Sequence, residues 1–231
     1  MNDYLSPLLE YLPAIPAGVE RYFEKVRSGR YSGRNQLGIN LLPPLEVAQL
    51  TAEFREFHPL IQQTGALILD DADTSDYHCY IPELPIAGSV MYLKHDGCTS
   101  VVFANLGDLI RAADQAIENG LGLDEFHLPF GPLATDQERL SEKISSLYHQ
   151  QDDDVEAAIL LLLESSSLSH GSLFNELATD DNFYFGEAIA NTILARPRAS
   201  LAGLAEVCSR HPHPQVSRPG TKALHAVQGL V

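Results

Sequence analysis

The sequence predicts an α+β protein. A small antiparallel sheet packed with helices is expected in residues 1–133, and an all-α helical-repeat region in 134–231. Three observations lead there. Apolar residues recur at helical spacing up to Gly65, then gather in four short β-branched or aromatic runs between 66 and 103. Helical spacing then returns for the rest of the chain. The last third also resembles itself at a shift of 31 residues, as a stack of like hairpins would.

The elements follow in order. Leu5, Leu8, Leu9 and Leu12 mark a first helical face, and Val19, Tyr22, Phe23 and Val26 a second, with "PAIPAG" breaking the chain between them. After the Gly- and Pro-punctuated "GRYSGRNQLGINLLPP", Val47, Leu50, Phe54, Phe57 and Ile61 line one face of a further helix. Pro59 is expected to disturb that helix, and Gly65 to end it. The segments "ALILD", "YHCYI", "SVMYL" and "SVVF" read as strands of a meander, since each is short, apolar and bounded by Asp, Pro or Gly. Asp96-Gly97 between the last two is a hairpin signal, because Gly tolerates positive φ and Asp bonds within its own turn. Asn105 is placed to cap a helix over Leu106, Leu109, Ile110, Ala113 and Ile117, and Gly120 to close it. Further helices are expected near 135–150, 153–164, 171–179, 182–195, 199–209 and 214–230. The 31-residue shift pairs Leu173 with Leu204, Phe185 with Val216 and Ile193 with Leu224.

With 231 residues, 45% hydrophobic and 20% charged, the chain has the composition of a globular protein with a real core. Its longest apolar run, "AAILLLL", is far too short for a bilayer, and "MNDYLSPLLEYLPAIPAG" lacks a basic leader. Three cysteines form no disulfide framework, so a cytoplasmic setting is expected. The net charge is −16. Residues 1–133 carry 8 Lys/Arg against 18 Asp/Glu and residues 134–194 carry 2 against 12, whereas 195–231 carry 5 against 1. An acidic body repels nucleic acid and lipid headgroups and can steer a basic protein.

The candidate chemistry is sparse. His95, Asp96 and Cys98 lie within four positions, but without metal-ligand spacing or a placed base they read as the tip of the hairpin. "LDDADTSD" places Asp71, Asp73 and Ser75 at alternate positions like a calcium loop. It has Asp76 where that loop needs Gly and Pro82 where it needs Glu, so it reads as a solvated loop. Cys208, His211 and His213 lack a fourth ligand, and "SSSLSHGS" lacks a nucleophile elbow. No Gly-rich phosphate loop is present in the sequence. The reading therefore holds no catalytic residue, no metal ligand and no cofactor.

Residues 65–113, "GALILDDADTSDYHCYIPELPIAGSVMYLKHDGCTSVVFANLGDLIRAA", resemble the sheet and closing helix of the SUKH superfamily. Gly88, Val90, Asp96, Val102, Phe103, Leu106 and Leu109 fit the places of that pattern. The chain departs from it in lacking Trp and a clear Leu-Pro step before the N-terminal helix. The C-terminal hairpins resemble HEAT-like repeats. The superfamily includes bacterial immunity proteins, so the resemblance implies a cytoplasmic, non-enzymatic protein that binds a toxin domain without a cofactor. The contact residues expected from the acidic charge are Asp70, Asp71, Asp73, Asp76 and Asp96. Two other readings are open: a metal-dependent hydrolase using His78, His95, Asp96 and Cys98, and a general scaffold.

Overall fold

The structure, a computed structural model, describes residues 3–96, 99–150 and 153–230, with Asp153 described by its backbone alone. Four strands, β1 (Leu67–Ile68), β2 (Tyr77–Tyr80), β3 (Val90–Leu93) and β4 (Ser100–Phe103), form one antiparallel sheet in the order β1-β2-β3-β4. The register aligns two cross-strand rows. Leu67, Tyr80, Val90 and Phe103 make one, and Ile68, Cys79, Met91 and Val101 the other. A bulge opposite Val90 and Met91 leaves Val102 as the extra residue on β4. Both rows are buried. This explains why the strands read as continuous apolar runs rather than alternating ones.

Helices α1 (Ala17–Val26), α2 (Pro44–Phe57), α3 (Pro59–Thr64) and α4 (Leu106–Asn119) complete this part of the chain. The α1 face of Val19, Tyr22, Phe23 and Val26 meets Leu109, Ala113 and Ala116 of α4, and shares one core with Leu67, Tyr80, Val90 and Val102 of the sheet. The break foreseen at Pro59 is present: His58 ends α2 in extended backbone and α3 starts at Pro59. Gly65 and Gly120 end α3 and α4 in the left-handed region, at φ 62° and 67°. The Asn105 side chain accepts a hydrogen bond from the Asp108 N–H, as an N-cap does. The segment around Leu5 and Leu8 differs from expectation. It is a 3-10 turn over Asp3–Leu8 with Pro7 inside it, and Pro7 offers no N–H to extend an α-helix.

The chain divides into two compact units, Met1–Pro132 and Leu133–Val231. The second holds α5 (Gln137–Tyr148), α6 (Glu156–Glu164), α7 (Gly171–Ala178), α8 (Phe183–Ala195), α9 (Ala202–Ser209) and α10 (Pro214–Gln228). Consecutive helices pack in pairs, α8 lies against both α6 and α10, and α7 packs on α9. The 31-residue shift superposes α7 on the start and end of α9, and the N-cap Asn182 on the N-cap His213. Each of these caps accepts a hydrogen bond from the N–H two residues on. Short 3-10 turns at Asp153–Val155 and Ala199–Leu201 lead into α6 and α9 where the sequence predicts continuous helix. Among the described residues no helix is long and apolar enough to cross a membrane.

Candidate functional site

The strongest polar constellation lies inside the first unit. Asp70 follows β1, and the antiparallel register places it beside His78 on β2. One carboxylate oxygen accepts the His78 backbone N–H at 2.6 Å, and the other accepts the ring Nδ1–H at 2.6 Å. The His78 Nε2 lies 2.9 Å from the Nε2 of His127, which follows the 3-10 turn Leu123–Phe126. Tyr92 and Phe103 flank both imidazoles. Asp70 and His78 are almost fully buried, with side chains 3% exposed. Burial, with the neighbouring His78 and Lys94, holds the His127 pKa down at about 3. The Tyr22 hydroxyl is also buried and has no hydrogen-bond partner among the described residues. Burial first, then the Asp70 charge, keeps that phenol well above its usual pKa. No thiol or hydroxyl donates into the Asp70–His78–His127 chain among the described residues. The arrangement ties β1, β2 and the post-α4 segment together and serves as a clasp.

This placement corrects one expected contact residue. Asp70 was expected on a solvated loop, but both of its carboxylate oxygens are bonded to His78 in the interior, so it presents nothing to a partner. The other four lie nearer the surface. Asp71 is half-buried and accepts the Asp73 N–H, and Asp73 is exposed and accepts from the Asn35 side-chain amide. Asp76 accepts the His95 N–H at 2.8 Å, which fastens the β3–β4 turn beside the loop after β1. Asp76 and the exposed Asp96 are thereby brought to one rim. Gly97 and Cys98 lie outside the described residues.

Among the described residues of the hydrolase reading, His78 stands apart from His95 and Asp96. His78 pairs with Tyr92, and His95 lies three residues beyond Tyr92, about 10 Å along the strand. Cys79 is buried in the opposite cross-strand row from His78, and burial pushes its thiol pKa well up. His58 and His95 line a separate pocket of about 230 Å³ with Phe54, Phe57 and Tyr77. In the second unit the buried Cys208 donates to the Gly186 carbonyl, and the His211 ring accepts the His213 N–H. His213 itself stacks on Phe183 with ring centroids 3.9 Å apart. Among the described residues no group of three or more His, Cys, Asp or Glu side chains is arranged to hold a metal ion.

Sequence reasoning did not reach His127. It stands in "LDEFHLPFGP" without periodicity, and its partner His78 is 49 residues away. Comparison of the chain with family models, curated proteins and solved structures gives no match.

Proposed function

We propose that the protein is a non-enzymatic, cytoplasmic protein-binding module whose partner presents a basic surface, as a toxin domain would to its immunity protein. The observation that carries this reading is the Asp76–His95 hydrogen bond, which gathers the loop 71–76 and the turn at Asp96 into one acidic rim. The only Lys or Arg between Arg55 and Arg111 is Lys94, and its ammonium sits over the Tyr92 ring, 5.9 Å from the centroid. The resemblance of residues 65–113 to the SUKH pattern supports the reading. So does the packing of helices in repeated pairs, an architecture that offers extended binding surfaces.

The test is kinetic. A protein captured on the immobilised chain at low salt is identified and purified, and its association is followed between about 50 and 500 mM salt. The on-rate should fall steeply with salt while dissociation changes little. Asp73→Asn with Asp76→Asn and Asp96→Asn should slow association further. A salt-independent on-rate, or a triple variant that associates as fast as the parent, removes the rim from the interface.

A further inference from the structure

A cleft of about 600 Å³ opens between α1 and α4 on the first unit. Its charge is opposite to that of the chain. Gly18, Arg21, Tyr22 and Lys25 line it from α1, at the i, i+3, i+4 and i+7 positions that share one helix face. Gly107, Ile110 and Arg111 line it from α4 by the same spacing. Three cationic side chains therefore converge in a protein of net charge −16.

Their partners single out two of them. Elsewhere in this unit Arg30 pairs with Asp114 and Glu118, and Arg27 lies over the Tyr4 ring. Arg34 donates to the Arg30 carbonyl, and Arg55 to that of Gly65. Lys94 lies over Tyr92, and Arg111 is held by Asp108 at the cleft edge. Arg21 and Lys25 have no ion pair, side-chain hydrogen bond or ring partner among the described residues, and both face the cleft.

The backbone adds to this. Both helices begin here, and Gly18 and Gly107 of the lining have backbone amides without an acceptor among the described residues. Such amides favour anions. A Cβ built on Gly18 would meet nothing within 4 Å, so the backbone is open to close approach. The floor is apolar, from Val19, Leu106 and Ile110 with the Tyr22 and Tyr80 rings. The volume suits a drug-sized organic molecule.

We propose that this cleft binds a small organic phosphate, its phosphate held by Arg21, Lys25 and Arg111 and its body resting on the apolar floor. The two arginines present planar forks that match phosphate oxygens. This site is separate from the acidic rim and does not depend on it.

The experiment is calorimetric titration of the full chain at about 50 mM salt with inorganic phosphate, AMP and glucose 6-phosphate. At least one organic phosphate should bind saturably at one site, tenfold or more tightly than inorganic phosphate. Preference for AMP assigns a nucleotide, and preference for glucose 6-phosphate a sugar phosphate. Arg21→Gln with Lys25→Gln should weaken binding at least tenfold, and Arg139→Gln in the second unit should leave it unchanged. Gly18→Leu, which adds bulk into open space, should block the cleft without removing a charge. Absence of saturable binding, equal affinity for inorganic phosphate, or binding that survives both cleft variants overturns the proposal.

Discussion

At the residue scale, Asp70 matters for the two bonds it accepts, and its removal strands a buried imidazole. Asp70→Ala takes away the acceptor of both the His78 N–H and Nδ1–H in an environment that offers no replacement water contact at 3% exposure. The expected loss is about 3–5 kcal/mol of stability, measured by urea denaturation. His127→Ala removes a less buried partner and should cost about 1–2 kcal/mol. His127 also sets a pH dependence. Its folded pKa of about 3 lies below the ordinary value of 6.5, so the unfolded chain binds the proton first as pH falls. The stabilisation is complete above pH 6.5 and is lost progressively down to pH 3. His127→Gln should flatten the slope of stability against pH in that window, and an unchanged slope would assign the acid sensitivity to other groups. The pairing was not legible from sequence. Asp70 stands in a run of aspartates that reads as solvated, and only the register of β1 against β2 turns it inward.

At the element scale, the strand segments, the Pro59 break, the Asn105 cap and the Gly65 and Gly120 ends were all legible, because each rests on local chemistry. The β3–β4 pairing was legible for the same reason. The cationic face of α1 was not singled out, although Arg21 and Lys25 are four apart. The apolar face beside them gave the stronger signal, and a cleft also needs α4 from 80 residues on. The helical repeat was visible as spacing, but its cause is tertiary. Gly220 on α10 lies so close to α9 that a Cβ would fall 2.5 Å from the Cys208 backbone carbon. Gly203 on α9 meets nothing within 4 Å. The same substitution should therefore act in opposite directions. Gly220→Ala should destabilise the second unit by about 1–3 kcal/mol, as overpacking does. Gly203→Ala should stabilise it by about 0.4–1 kcal/mol by restricting the unfolded chain. Urea curves of the two variants check this, and a like sign for both would mean that α9 and α10 do not approach at Gly220.

At the scale of the whole molecule, charge is the dominant property. The surplus of 16 negative charges repels itself in the folded state, more than in an expanded chain. Added salt screens that repulsion within about 10 Å at 0.1 M. The melting temperature should rise as sodium chloride goes from about 10 to 300 mM. A fall would show that attractive pairs such as Arg30–Asp114 outweigh the repulsion. The pairs of Arg30, Arg111 and Arg210 lie at exposed or half-exposed positions where each contributes little, which is why a rise is expected. The basic stretch after Ala195 lowers the surplus locally, and Arg196 and Arg198 there donate to the carbonyls of Glu164 and Ser167.

Among the described residues each unit also encloses one free thiol that solvent does not reach, Cys79 in the first and Cys208 in the second. A disulfide-exchange reagent can modify either only while its surroundings are transiently open, so the chain carries a built-in clock for each half. With Cys98→Ser removing the third sulfur, the two labelling rates report two opening free energies on a single molecule. Asp70→Ala should accelerate modification of Cys79 while leaving the rate at Cys208 unchanged, and Gly220→Ala should do the reverse. Equal acceleration at both sulfurs would instead reveal that the two halves open as one cooperative body.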